Sequence, residues 1–315
     1  MSGTLASPLA LVCHDAGPLE LLLPWLDLTL LRVRACLRGP ALHLWRERMG
    51  DKLLVQDLET ALDGAAMLLS GAGRGPDPRD LEHRARLAAA ALGLHSVAVL
   101  DHWVDYAARF ARSGASRLPD ELWVADAEAY ALARSVFAGL PVRLQPNLHL
   151  QAQVARLAAA PDAQRHSTVL LLPEPIGKAW EGRLPGEEQA LNYLIAHADR
   201  LGLRAPLQLR LRPHERDAPG RWNDWMAAQR VHHAIEIDVA PTLADAIDDL
   251  AWVAGLESPG LVLAHASGRR AVCLQPPWAP RSRLPQRGLL HLRDLPDPPG
   301  PRPLFESPET RGRSA

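Results

Sequence analysis

The sequence predicts an α/β fold in two domains, each built on a parallel sheet that is buried on both faces. Three observations carry this. Short Leu- and Val-rich runs recur along the 315 residues, and they are continuous in apolar character, as strands covered on both sides must be. Longer alanine-rich, helix-favouring segments separate them, which is the order expected of crossovers between parallel strands. The length also exceeds what one hydrophobic core usually organises, so two domains of roughly 150 residues each are expected.

In the first half the expected strands are LALVC (9–13), ALHLW (41–45), AAMLLS (65–70), SVAVL (96–100) and ELWVA (121–125). A helix is expected over 78–92. Asp77 or Asp80 lies near its start and Gly93 is its stop, since glycine takes the left-handed backbone that follows a helix end. Around 146–161 the pattern changes: PNLHLQAQVARLAAAP reads as a helical connector bracketed by prolines, and the polar DAQRHS follows. A second series then runs TVLLLP (168–173), LQLRLRP (207–213), AIEIDV (234–239), LAWVAG (250–255) and AVCLQP (271–276). The end of the chain, LPDPPGPRPLFESPETRGRSA, is too rich in proline and charge to form core. The expected division is a first domain over 1–150, a connector over 151–165, a second domain over 166–295 and a loose tail over 296–315.

Composition narrows the function. Hydrophobic residues make up 47%, charged ones 23%, and the net charge is -1, so no broad positive field exists to attract nucleic acid or anionic lipid. Neither partner is expected. Cys13, Cys36 and Cys273 lie far apart with no C-x-x-C spacing, which argues against a disulfide framework or structural zinc and for a reducing compartment. The apolar stretch 9–31 is interrupted by His14, Asp15, Glu20 and Asp27 and lacks a basic leader. It reads neither as a membrane span nor as a secretory signal, and a cytoplasmic protein is expected. The oligomeric state is not legible.

Ligands of open parallel sheets gather beyond the carboxyl ends of the strands, often at helix N-termini. Candidate residues should therefore stand just after the strands. After 9–13 come His14 and Asp15. After 65–70 comes SGAGRGPD, whose Gly71, Gly73 and Gly75 would let backbone approach a ligand, or would simply make a tight surface turn. It is neither G-x-G-x-x-G nor G-x-x-x-x-G-K-[ST], so neither a dinucleotide fingerprint nor a P-loop is present.

After 96–100 comes DHWVDY, with Asp101, His102, Trp103 and Tyr106. Imidazole titrates near working pH and a neighbouring carboxylate can orient it, so His102 beside Asp101 suits a general base. The structural alternative is an Asp N-cap followed by aromatics packed between sheet and helix. In the second half Glu174 follows 168–173, and Arg212, His214 and Glu215 come at and just past the end of the next strand; arginine with histidine there suits phosphate or carboxylate, and the alternative is a solvated charged loop. Finally GLESPG (255–260) sets Gly255, Glu257, Ser258 and Gly260 at a turn that opens a helix. Such a turn presents N–H groups to an anion, with Ser258 adding a hydroxyl and Glu257 able to accept from a ribose.

This arrangement resembles the GT-B type of glycosyltransferase. RPHE (212–215), followed about 40 residues later by GLESPG, is similar to the histidine-proline and downstream serine motifs of bacterial sialyltransferases, polysialyltransferases and related capsule enzymes. Here Glu215 stands where those motifs have proline, and Pro259 where they have a second hydroxyl. The segment LDHWVDYAARF and the later LPDELWVADAEAYALA look like proteins of surface-polysaccharide gene clusters. The resemblance spans about residues 8–295. It implies two Rossmann-like domains facing across a cleft, an acceptor side in the first half and a nucleotide-sugar donor side in the second.

The reaction implied is a single in-line displacement from a nucleotide-sugar, CMP-activated in those families, to a glycan or lipid-linked glycan acceptor. His102 with Asp101 would be the base, with Asp15 or His14 in reserve. Arg212, His214 and Ser258 would hold the phosphate, Glu257 the ribose, and Trp103 and Tyr106 would stack on sugars. No D-x-D motif is evident, so no metal or other cofactor is required. Two other readings use the same scaffold: an epimerase of the UDP-N-acetylglucosamine 2-epimerase type, and a non-catalytic partner in a polysaccharide assembly complex.

Overall fold

A computed structural model describes residues 5–26, 28–50, 54–73, 80–111 and 117–298. Gly75, Asp77 and the tail from 299 lie outside them. The chain divides into two compact units. One runs to Leu157 and takes in Arg283–Arg287; the other runs from Ala158 to Ser282 and resumes at Gly288.

The first unit holds β1 (Leu9–Cys13), α1 (Ala16–Leu22), β2 (Val33–Leu37), α2 (Gly39–Met49), α3 (Leu58–Leu62), β3 (Met67–Ser70) and α4 (Leu81–Ala91). It continues with β4 (His95–Leu100), α5 (Tyr106–Phe110), β5 (Glu121–Val124), α6 (Ala127–Val136), β6 (Val142–Leu144) and α7 (Leu148–Arg156). Its strands are all parallel, in the order β2-β1-β3-β4-β5-β6. Successive side chains of a strand point to opposite faces, and both faces of β1 are apolar. Leu9, Leu11 and Cys13 pack with Leu19, Trp45 and Trp123 on one side. Ala10 and Val12 pack with Leu62, Leu81 and Ala85 on the other. That double burial is why the run carries no polar alternation.

The second unit holds β7 (Val169–Leu172), α8 (Gly186–Ala196), β8 (Gln208–Leu211), α9 (Asn223–Gln229), β9 (Ala234–Ile237) and α10 (Leu243–Ile247). β10 (Trp252–Gly255), α11 (Pro259–Ala266), β11 (Arg270–Cys273) and β12 (Leu290–His291) complete it. Its parallel sheet has the order β12-β11-β10-β7-β8-β9. The chain moves outward from β7 to β9, then crosses back to β10 on the other side of β7. The switch point, where ligands of such sheets bind, therefore falls between β7 and β10. In the first unit it falls between β1 and β3.

One expected strand is wrong. Residues 41–45 belong to α2, and the strand beside β1 is Val33–Leu37. Ala41 and Trp45 are four apart and both buried, a helical spacing, and Gly39-Pro40 opens the helix with proline where its missing N–H costs nothing. The strand VRACL lies at a sheet edge and is only partly covered, so it lacks the continuous apolar run of its neighbours. β6 and β12 were also not expected; both are edge strands, of 3 and 2 residues. The helix expected over 78–92 is α4, where Asp80 sits at the N-cap position without a side-chain cap bond. Gly93 follows its end with a left-handed φ of 69°. Cys13, Cys36 and Cys273 are buried free thiols.

Candidate functional site

The carboxyl ends of β7, β8 and β9 and the start of α11 enclose a cleft of about 570 Å³, lined among others by Pro173, Arg212, His214, Glu215, Asp238 and Ser258. Its volume is that of a small-molecule site. Three of the residues singled out from the sequence, Arg212, His214 and Ser258, thus meet at one place. Arg212 is anchored through one nitrogen: Nη1 donates to the buried Asp238 carboxylate and to the Ala240 carbonyl at 2.9 Å. A guanidinium carries five N–H donors. The three on Nε and Nη2 have no protein acceptor among the described residues.

His214 sits in a turn that Asp217 holds. Asp217 Oδ2 accepts from the His214 backbone N–H at 2.9 Å and from the Trp222 indole at 2.9 Å. The ring Nδ1 accepts from the Arg216 N–H at 3.1 Å, which assigns the proton of the neutral ring to Nε2. Burial, aided by the Arg216 charge, lowers the His214 pKa below its ordinary value. The ring is therefore a neutral donor at Nε2 near pH 7. Ser258 caps α11, its hydroxyl accepting from the Gly260 N–H at 3.1 Å.

Glu174 and Glu257 stand at the switch point itself. Glu174 Oε2 accepts from the Glu257 backbone N–H at 2.6 Å, so a side chain after β7 fixes the turn after β10. The two carboxylates join burial in pushing the Cys273 thiol up to about 11, while a Ser282 hydrogen bond pulls the other way. Gly255 and Gly260 are packing positions. A Cβ at Gly255 would stand 2.9 Å from the Leu172 carbonyl oxygen, and one at Gly260 2.6 Å from Leu172 Cδ1.

In the first unit His14 and Asp15 follow β1, and the imidazole Nδ1 lies 2.8 Å from Asp15 Oδ1. That contact places a proton on Nδ1 and leaves Nε2 as the basic nitrogen of a neutral ring. The His14 backbone N–H donates to Glu82 Oε1 at 2.8 Å. Glu82, on α4, is fully buried, and its carboxyl packs against Gly71 and Gly73, where Cβ atoms would come within 3.3 Å and 3.0 Å of it. Those two glycines thus make room for Glu82. Burial raises the Glu82 pKa, partly offset by the His14 hydrogen bond.

Two residues of the DHWVDY segment, Trp103 and Tyr106, are packed into the fold. Trp103 is 7% exposed and its indole donates to Asp126 Oδ2 at 2.6 Å. Tyr106 is 3% exposed, and burial raises its pKa. Neither ring offers an open face for stacking on a sugar, so that expectation is corrected; the packed-aromatic alternative describes them. Asp101 receives Arg109 Nη1 at 3.1 Å. His102 Nδ1 accepts from the Trp103 N–H at 2.9 Å, which in a neutral ring puts the proton on Nε2 and makes the ring a donor. The dyad geometry expected at Asp101–His102 is found at His14–Asp15 instead.

Glu82, Asp126, Asp217 and Asp238 were not singled out from the sequence. Asp238 follows β9 and Asp126 follows β5 by two residues, so the strand-end filter reaches both. Glu82 lies inside a helix and Asp217 deep in a charged loop, where no local pattern marks them. Among the described residues, no group of three or more His, Cys, Asp or Glu side chains is placed to hold a metal ion. No helix among them is long and apolar enough to cross a membrane.

Comparison with known proteins gives no matching family model and no matching curated protein. A solved structure, MurG of Acinetobacter baumannii, is similar in fold, with a TM-score of 0.50 over 85% of this chain and 79% of that one at 12% identity. The chain has a GT-B-like fold of two Rossmann-like domains. This GT-B-like fold carries no link to sialyltransferases in particular, and at such identity the likeness concerns architecture alone.

Proposed function

We propose that the protein is a glycosyltransferase that moves a sugar from a nucleotide-sugar donor to a glycan acceptor by in-line displacement. The observation that carries this reading is the convergence of Arg212, His214 and Ser258 on one cleft at the carboxyl ends of the second sheet. Arg212, held by Asp238 through Nη1, keeps Nε and Nη2 for two oxygens of a leaving phosphate. His214 adds a neutral N–H donor and the Ser258 hydroxyl a further group at the start of α11. Glu257 would accept from neutral hydroxyls such as those of a ribose, because a carboxylate would repel phosphate. On the acceptor side the tautomer argument favours His14, oriented by Asp15, over His102 as the base. A CMP-activated acidic sugar is the donor suggested by the sequence motif, and the lining Glu215 weighs against a second negative charge at that spot.

The test is thermal stability of the full chain against CMP, CDP, UDP, GDP and their sugars. A ligand at 100 times its dissociation constant stabilises by about 2.7 kcal/mol. The reading expects a shift with at least one nucleotide-sugar, lost in Ser258→Ala and His214→Ala. A response that these variants leave intact would place the nucleotide elsewhere. A shift with UDP and UDP-sugars alone, without transfer to any acceptor, would turn the assignment to an epimerase; no response at all would favour a non-catalytic scaffold.

A further inference from the structure

The geometry points to a second binding site in the same unit, for a small multivalent oxyanion, at the amino ends of the strands. A separate cleft of about 570 Å³ opens there, lined by Gln164, Ser167, Arg204, Trp252 and Arg270 with neighbouring backbone. Trp252 and Arg270 are the first residues of β10 and β11 and stand opposite each other in register. Ser167 precedes β7 by two residues. Every strand of the sheet runs parallel, so this cleft opens at the end opposite to Arg212 and Ser258. It is independent of the donor cleft.

Charge marks the site as one for anions. Arg204 and Arg270 are its charged side chains, no carboxylate lines it, and neither arginine has an ion-pair partner among the described residues. Elsewhere in this unit Arg210, Arg212, Arg221 and Arg281 are matched by carboxylates. In a chain of net charge -1, two unmatched guanidiniums sharing one concavity are an uncompensated positive spot.

Order marks it as built. The Arg270 guanidinium lies 5.0 Å from the Trp252 ring centroid, a stacking that orients its planar fork. The indole is itself fixed, buried and donating to the Ala163 carbonyl at 3.1 Å. One of the two cations is thus pre-aligned, which lowers the ordering cost of binding. Gln164 and Ser167 add neutral hydrogen-bonding groups whose side chains make no bond to protein among the described residues. Two forks suit the oxygens of a phosphate or of paired carboxylates better than a single halide.

The experiment titrates pyrophosphate, and separately citrate, into the ¹⁵N-labelled full chain at low salt and follows the backbone amides of Ser167 and Arg270. Saturable shifts at these amides are expected, with affinity falling about tenfold or more in Arg204→Gln and in Arg270→Gln. Arg270→Lys should recover part of the loss, keeping charge but not the fork. A stronger response to citrate would keep the site and assign it to carboxylates. Unmoved amides with both probes, or affinities unchanged in the two glutamine variants, would overturn the proposal. Shifts confined to Arg212–Glu215 would do the same, by placing the anion in the other cleft.

Discussion

Replacing Asp126 tests why aromatic residues crowd the end of β4. Its carboxyl does two jobs: Oδ1 caps α6 by accepting from the Ala129 N–H at 2.6 Å, and Oδ2 accepts from the Trp103 indole at 2.6 Å. Losing an Asp N-cap costs about 1 kcal/mol. Leaving a buried indole N–H without an acceptor costs about 1–3 kcal/mol more. Asp126→Ala should therefore destabilise by about 2–4 kcal/mol, toward the lower end because burial already disfavours the charged carboxylate. Trp103→Phe removes only the second bond and leaves the cap. In the double mutant the two losses should fall short of additive by about 1–2 kcal/mol, since each single change breaks the same hydrogen bond. Urea unfolding at pH 7, followed by circular dichroism, gives these numbers from the transition that shifts, provided its m value stays constant. A loss below about 0.5 kcal/mol in Asp126→Ala, or strict additivity, would mean that Trp103 is not held as described and would reopen its ring to ligand.

Three further expectations can be checked with the same methods. Glu82 has a raised folded pKa, so its titration adds stability that is fully present below the ordinary Glu value of about 4.3 and is lost as pH rises through the raised one. Glu82→Gln keeps an acceptor for the His14 N–H and removes that loss, so its stability relative to the parent should improve between pH 5 and pH 8; a pH-independent difference would contradict a buried, reluctant carboxylate. Asp217→Ala strips the acceptor from the His214 N–H and the buried Trp222 indole, and should cost about 2–4 kcal/mol in urea unfolding. Gly255→Ala sets a methyl 2.9 Å from the Leu172 carbonyl oxygen, a backbone atom that cannot swing aside, and a loss of about 1–3 kcal/mol in the same assay is expected.

The two-sheet plan was legible because interior parallel strands are buried on both faces, and LALVC, SVAVL and TVLLLP state this in their composition alone. Edges were not. VRACL, half covered, is interrupted by Arg34 and flanked by Arg32 and Arg38, whereas ALHLW mimics a strand over five letters while Ala41 and Trp45 obey the helical repeat. The meeting of Arg212, His214 and Ser258 at one cleft was legible for a related reason: each follows a strand, and parallel strands bring such positions to one rim of a sheet. In the first unit the same rule singled out His14 and Asp15, which lie in hydrogen-bond contact, and DHWVDY, whose Trp103 and Tyr106 are packed inside. Whether a ring after a strand turns toward solvent or folds back on the sheet depends on partners distant in sequence, here Asp126, 23 residues from Trp103. Glu82 was hidden for the same reason, since its partners are a backbone N–H 68 residues away and two glycines.

The two strand orders have a consequence for the shape of what each unit can hold. In the second sheet the crossover between β7 and β10 is central, with three strands on either hand, so a ligand seated there is walled by loops on both flanks and can be enclosed whole. In the first sheet the corresponding gap, between β1 and β3, has only β1 and β2 on one side. That margin is short, and a linear molecule lying across it can run off the edge with one end engaged and the rest in water. Strand order alone thus sets how much wall stands beside each switch point, before any side chain is chosen.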